Sequence, residues 1–320
     1  RDVLGSRGLG DVYKRQAFAF GCNIGCSVVV SRYFGAKLYA DMKTAVHTTL
    51  IFSGAVCAVL MALGLIFQQP LLQLIKTPED VLADSSLYLD IYIWGLPFVF
   101  FYNISEGIFS AMGDSKTPFI FLACSSLSNI AMDILFVTAF NMGVAGVAYA
   151  TIISQILSAV LVIIVLMRSQ EDYRLIPREL RINGPILSRI LRIGLPAAIQ
   201  TSVISFSNVF VQAYINEFQS SCMAGWTSYN RLDAFAWLPM LCLGMANTTF
   251  VGQNLGAGKL DRVKKGVNIG ILIAMAGTLI IVVPLMCFSD TMLKLFNSDP
   301  EVLRYGRMLS LIHISEPTRP

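Results

Sequence analysis

One carboxylate stands inside an apolar run. Asp133 lies in Ser128-Asn129-Ile130-Ala131-Met132-Asp133-Ile134-Leu135-Phe136. A charge in hydrocarbon is expensive, so an ionisable residue there reads as a functional site by default. Asn129 precedes Asp133 by four residues, which puts both side chains on one face of a helix. Thr151 follows in the next apolar run, which opens at Gly143-Val144-Ala145-Gly146. Counted at 1.5 Å per residue from the short turn between the runs, Asp133 and Thr151 both fall about 10 Å below the same membrane boundary. Carboxylate, amide oxygen and hydroxyl are hard oxygen donors, suited to Na⁺; a carboxylate shielded from water equally suits H⁺. The competing reading is a lone Asp that serves a gap in the backbone ladder or a polar neighbour.

Other polar residues carry weaker signals. Gln200, Asn208 and Gln212 recur at spacings of eight and four, one polar stripe that reads as cavity-facing. Tyr229, Arg231 and Asp233 share a later run. At spacing two, Arg231 and Asp233 do not share a face, so they line the cavity or its mouth and do not pair with each other. Glu106, after Tyr102 and Asn103 and close to the turn at Gly113-Asp114, reads as a helix-interface residue before a coupling site. The seven cysteines have neither zinc nor redox spacing and read as small packing residues. His47 reads as a helix-end histidine. Gly252 to Lys259 resembles a phosphate loop superficially, but no strand precedes it and Leu260 replaces the Ser/Thr after the lysine. No ATP use by this chain is expected.

The elements that hold these residues must be membrane helices. Hydrophobic residues make up 55 % of the chain and charged ones 14 %, against about 25 % charged in a soluble domain. Mean hydropathy is +0.65. Such a chain cannot cover a water-facing surface. Apolar runs near the length that crosses a bilayer fall at 46–69, 86–111, 119–139, 144–167, 193–216, 225–250 and 267–288, with partial ones at 17–30 and after 300. Each must be helical, because open sheet edges do not survive in hydrocarbon. The net charge of +4 does not read as nucleic-acid binding. Its placement matters more. Arg32, Lys37, Lys43, Lys116, the arginines from Arg168 to Arg192, and Lys259 to Lys265 all fall on one side of an alternating topology, which the positive-inside rule assigns to the cytoplasm.

The chain also repeats itself. Phe34-Gly35-Ala36-Lys37, then Asp41, Lys43 and Val46, return as Leu255-Gly256-Ala257-Gly258-Lys259, then Asp261, Arg262, Lys264 and Val267. The offset is 221 residues (256 less 35), and it carries Leu74-Ile75-Lys76-Thr77 onto Leu295-Phe296-Asn297-Ser298 without a gap. Six crossings separate the copies. An even number makes them parallel repeats, related by an axis along the membrane normal, as in secondary transporters.

The fold expected is therefore an all-α integral membrane protein of two parallel six-helix repeats, about twelve helices when intact. This chain covers roughly the second through ninth helices plus the start of the tenth. Segment 1–16 and segment 310–320 resemble translated sequencing-adapter read-through and are set aside from the fold. Between them lie an N-terminal lobe lacking its first helix (17–168), a cytoplasmic inter-lobe linker (169–192) and an incomplete C-terminal lobe (193–309).

These residues resemble the multidrug and toxic compound extrusion (MATE) family of efflux transporters. The resemblance rests on Ser31-Arg32-Tyr33-Phe34-Gly35-Ala36 and its counterpart Thr249 to Gly258, on Gly113-Asp114-Ser115-Lys116-Thr117-Pro118, on Asn129 to Phe136, on Gly143 to Thr151, and on Gly194-Leu195-Pro196. It covers residues 17–309. It implies a V-shaped pair of six-helix lobes that export organic cations in exchange for H⁺ or Na⁺, in the cytoplasmic membrane of a bacterium, as a monomer and with no cofactor beyond the coupling ion. In that family an Asn and an Asp four apart on the fifth helix and a Thr on the sixth form the first-lobe cation site; Asn129, Asp133 and Thr151 match them. An Asp on the first helix completes that site. Some relatives carry an acidic residue on the seventh helix, where this chain has Gln200, Asn208 and Gln212, so a second-lobe cation site is not expected.

The partners expected are the lipid bilayer and small organic cations, with no nucleic acid. The alternative is a lipid-linked saccharide flippase of the same superfamily. It would want a strongly basic cavity, and Arg231 is the lone basic residue well inside a run. A receptor or channel is a third class, disfavoured by the parallel repeat and the Asn/Asp pair. An enzyme is disfavoured by the lack of a catalytic constellation.

Overall fold

The computed structural model describes residues 21, 23–74, 79–168, 174–215, 220–288, 293 and 301–303. The end segments 1–16 and 310–320 lie outside them. Among the described residues there are no strands. Helix α1 covers 23–35. It is followed by α2 (Tyr39–Leu74), α3 (Glu79–Met112), α4 (Lys116–Ile134), α5 (Gly143–Arg168), α6 (Gly184–Ile215), α7 (Ser220–Gly256) and α8 (Leu260–Cys287). Six of these, α2 to α6 and α8, are long and apolar enough to cross a membrane, so the chain is a multi-pass membrane protein. Helix α7, 37 residues long, is the least apolar of the long helices and carries Asn230, Arg231 and Asp233.

Short caps set the helix starts. Asp114 Oδ1 accepts the backbone N–H groups of Lys116 and Thr117, both at 3.1 Å, at the head of α4. Asn183 Oδ1 accepts the Ile186 N–H at 3.1 Å at the head of α6. Each cap satisfies donors that a first helical turn leaves without partners. The second cap starts α6 nine residues ahead of the apolar run, inside the stretch read from hydropathy as linker.

The chain divides into two compact units. The described residues within 1–205 and 252–258 form one; those within 206–251 and 259–320 form the other. The first has its core where α1, α2, α3, α5 and α6 meet, around Val30, Val46, Ile104, Ile108, Val162 and Ile190. In the second, α8 lays Gly266, Gly270 and Gly277 against Phe250, Asn247 and Leu243 of α7, the small-residue packing that brings membrane helices close.

Within the first unit, the two copies of the repeated loop touch. A Cβ on Gly35 would overlap the Gln253 carbonyl, and one on Gly256 would overlap that of Arg32. An offset of 221 turns Gly35 into Gly256 and Arg32 into Gln253, so this is one contact seen twice. Ser31 and Gly252, which also touch, are the same position in the two copies and lie on the local two-fold axis. Gln253 Nε2 donates to Ala111 O at 2.8 Å, which adds the end of α3 to the same cluster.

The stretch 177–183 is fastened to the head of α2. Lys43 Nζ lies 2.6 Å from Glu179 Oε2. His47, buried, donates from Nδ1 to Glu179 O at 3.2 Å, and Thr48 Oγ1 accepts the Asn183 N–H at 3.1 Å. His47 is thus a tether of this strap within α2. The hydrogen bond from Lys43 holds the Glu179 carboxyl below the usual glutamate range. A depressed carboxyl contributes above its unfolded pKa and loses that contribution as pH falls through its lowered folded value, so the ion pair stays intact across neutral and mildly acidic pH. An exposed pair of this kind adds little to stability, because water screens it. Lys43→Gln should therefore speed trypsin cleavage at Arg178 and Arg181 by no more than about five-fold, because the buried tethers remain. A much larger increase would show that the ion pair alone holds the strap.

Candidate functional site

Asp133 occupies the last α-helical turn of α4, directly before a π-helical turn, Leu135–Ala139. A π turn inserts one extra residue and re-aims the side chains beyond it; such turns are frequent at functional sites. Asp133 Oδ1 and Asn129 Nδ2 are both buried and without a hydrogen-bond partner. Buried polar atoms are almost always partnered, so two orphans one turn apart mark a place that a ligand can complete. An Asp oxygen offers a seat for a cation or a proton.

Two contacts fix how α5 lies against α4. Ser125 Oγ donates to Ser154 O at 2.7 Å, and Phe136 lies against Gly146. In this antiparallel register Thr151 stands level with the turn of Asn129, and Asp133 lies about one turn farther along. The Thr151 hydroxyl donates to its own Val147 O at 2.9 Å. Asn129 and Asp133 thus lie one turn apart on α4, and Thr151 lies on the packed α5 at the level of Asn129.

Two further residues join this neighbourhood that sequence reading did not single out. Tyr88, on α3, lies close enough to feel the charge of Asp133, and its ring stacks on Tyr92 with centroids 6.4 Å apart. Gln155 has a buried Oε1 without a partner and packs over Gly95 of α3. Gln155 had a legible signal: it follows Thr151 by four residues and so shares its face. Tyr88 had none, because hydropathy names the helices that cross a membrane and not their neighbours.

The other named residues are placed less fully. Gln200 on α6 belongs to the first unit and is exposed; Asn208 on α6 belongs to the second and is exposed. Asp233 on α7 is half-buried. The side chains of Gln212, Tyr229 and Arg231 lie outside the described residues. Five described cysteines, Cys26, Cys57, Cys124, Cys222 and Cys242, are outside any disulfide.

The MatE family model matches the chain twice, over residues 16–135 and 196–317. Probable multidrug resistance protein YoeA of Bacillus subtilis (strain 168) is 32 % identical over 305 residues, which is 92 % of this chain and 65 % of that protein. A protein of Shewanella oneidensis named FAD transporter is 24 % identical over 299 residues, covering 91 % of this chain and 65 % of its own length. The chain thus spans just under two thirds of the length of these relatives. A solved structure described as the outward-facing conformation of a multidrug resistance MATE family transporter of the MOP superfamily superposes with a TM-score of 0.89 at 21 % identity, over 97 % of this chain and 70 % of that one. At that identity the likeness is one of fold.

Proposed function

The chain belongs to the MatE family, and from that premise we propose that the protein is a cation-coupled antiporter that exports organic cations by alternating access of its two repeats. The observation that carries this reading is the buried, unpartnered Oδ1 of Asp133 inside a membrane helix. Asp133 takes up H⁺ or Na⁺, with Asn129 and Thr151 as the neighbouring oxygen donors. Exchange results if ion and drug bias the same two-state element in opposite directions. Gln200, Asn208, Gln212, Tyr229, Arg231 and Asp233 are the residues proposed to line the substrate cavity. The driving force is an ion gradient and not ATP.

The test is efflux from cells stripped of their own pumps, with the full-length protein, under separately imposed pH and Na⁺ gradients. Ethidium serves as the organic cation. FAD is run beside it, because one relative carries that name and FAD is an anion. Gradient-driven ethidium efflux supports the reading and identifies the ion. Normal expression with no ethidium efflux under either gradient removes it. In that case the lipid-linked saccharide flippase moves ahead.

A further inference from the structure

The strap that leads into α6 is held at the depth where hydrocarbon begins. Its anchors are on α2. His47 and Thr48 are buried beneath it, and Lys43 stands one turn before them. Thr48 is nine residues beyond Tyr39, the head of α2, so about 13 Å along that helix. The apolar run of α2 opens at Val46. Thr48 Oγ1 accepts the Asn183 N–H at 3.1 Å and donates to Arg181 O at 3.4 Å. Residues 177–183 therefore lie level with the first apolar turn of a membrane helix, at the end that carries the basic loops, and not out beyond it.

That depth is the headgroup layer of a bilayer, and the strap presents what the layer asks for. From Arg174 to Arg192 the sequence has five arginines and a single acid, Glu179. Glu179 is engaged by Lys43 at 2.6 Å. Arg174 Nε donates to Met167 O at 3.0 Å, and Arg189 Nη1 donates to the Tyr33 hydroxyl at 2.7 Å. Arg178 and Arg181 are exposed, and among the described residues neither side chain has an ion pair or a hydrogen bond. Arg181 feels the charge of Glu179 without touching it. Beside them Leu180 is 40 % exposed and Ile182 55 %. Two unpaired guanidinium groups thus stand next to two uncovered aliphatic side chains. Guanidinium groups match phosphate oxygens with two parallel hydrogen bonds, and their stems lie along apolar surface while the heads reach out. Aliphatic side chains at this depth meet the first acyl carbons. A run of solvated charge needs no such aliphatic pair. Lys264 and Lys265, exposed near the head of α8 in the other unit, are basic residues without a strap of this kind.

We propose that the strap 177–183 is a docking site for an anionic phospholipid, with Arg178 and Arg181 on the headgroup phosphate and Leu180 and Ile182 among the first acyl carbons. The site does not depend on the antiport reading. It needs only that α2 and α6 cross a membrane.

The full-length protein is purified in detergent and its retained lipid is measured by native mass spectrometry. Phosphatidylglycerol and phosphatidylcholine with the same acyl chains are offered in equal amounts. Each arginine near the membrane surface is worth about five-fold in binding an anionic lipid, so the wild type should prefer phosphatidylglycerol by at least about ten-fold. Arg178→Gln with Arg181→Gln should remove that preference, and Arg178→Lys with Arg181→Lys should keep most of it. Lys264→Gln with Lys265→Gln, an equal loss of charge away from the strap, should leave it intact. Leu180→Ser with Ile182→Ser should weaken retention of phosphatidylglycerol by about ten-fold, because it removes the aliphatic part and spares both arginines. Inorganic phosphate in excess should not displace the lipid. Melting curves show that each variant is folded; if the glutamine pair is not, Arg178→Gln alone is read, with an expected loss of about five-fold. The proposal is overturned if the wild type retains the two lipids equally, or if the arginine and lysine losses act alike, for then the charge is only a diffuse basic face. Unchanged retention in the serine pair overturns it as well, since the aliphatic side chains then touch no lipid. Displacement by phosphate overturns it in favour of a soluble-anion site.

Discussion

Asp133→Asn should lower gradient-driven ethidium efflux by at least about ten-fold while the protein melts at the same temperature or a higher one. The two halves of this expectation come from one observation, the burial of Asp133 Oδ1 without a partner. A polar atom in that position costs about 1–3 kcal/mol, and more when it carries charge. Asparagine has the same shape and never ionises, so it removes the charged part of that cost. The carboxylate's ability to take up and release a cation disappears with it. A group that only supported the fold would behave in the opposite way, losing stability on substitution. Thr151→Ala should act more gently, about two- to five-fold in efflux, because the Thr151 hydroxyl is already satisfied by Val147 O at 2.9 Å. Efflux assays at matched expression, with melting curves of the purified protein, separate these cases. If Asp133→Asn transports like the wild type, or fails because it no longer folds, Asp133 is not the coupling carboxylate.

How much of this was legible beforehand depends on the kind of information each feature needs. Helix α5 was readable to within a residue, 144–167 against Gly143–Arg168, because its apolar run ends where its helix ends. Helix α2 was read as 46–69 and runs Tyr39–Leu74. Its first turns hold Asp41, Lys43 and Thr44, polar residues that suit a helix outside hydrocarbon and give no hydropathy signal. Helix α6 begins at Gly184 for the same reason, with Arg189 and Arg192 inside it; the Asn183 cap was the available cue. The Asn129–Asp133 pair was readable because helical spacing is local. The hydrogen bond from Asn23 to Glu106, 83 residues apart, was not, since it depends on which helices are neighbours. The π turn after Asp133 escaped too: one extra residue in a turn leaves no mark in an apolar sequence. The repeat was visible as an offset of 221 residues, but that its two copies touch at Gly35 and Gly256 required coordinates.

That contact gives the largest expected effect on stability. Gly35→Ala and Gly256→Ala should each lower stability by roughly 3 kcal/mol, the upper end for overpacking. The reason is what each new methyl would meet. At Gly35 it would lie within 2.6 Å of the Gln253 carbonyl carbon, and at Gly256 within 2.9 Å of that of Arg32. Both obstacles are backbone, which cannot swing aside as a side chain does, so the helix ends must separate. Gly54→Ala is the contrast. Nothing lies within 4 Å of a Cβ there, and alanine in a helix interior is favoured over glycine by up to about 1 kcal/mol. The double variant is the sharper test. One separation of the loops relieves both overlaps, so Gly35→Ala with Gly256→Ala should cost less than the two single changes together, a coupling expected only of residues that share a contact. Melting of the detergent-purified full-length protein measures all four variants. Additive losses at the two glycines would mean that the sites give way independently, and the reading of them as one contact repeated about a local two-fold axis would fall.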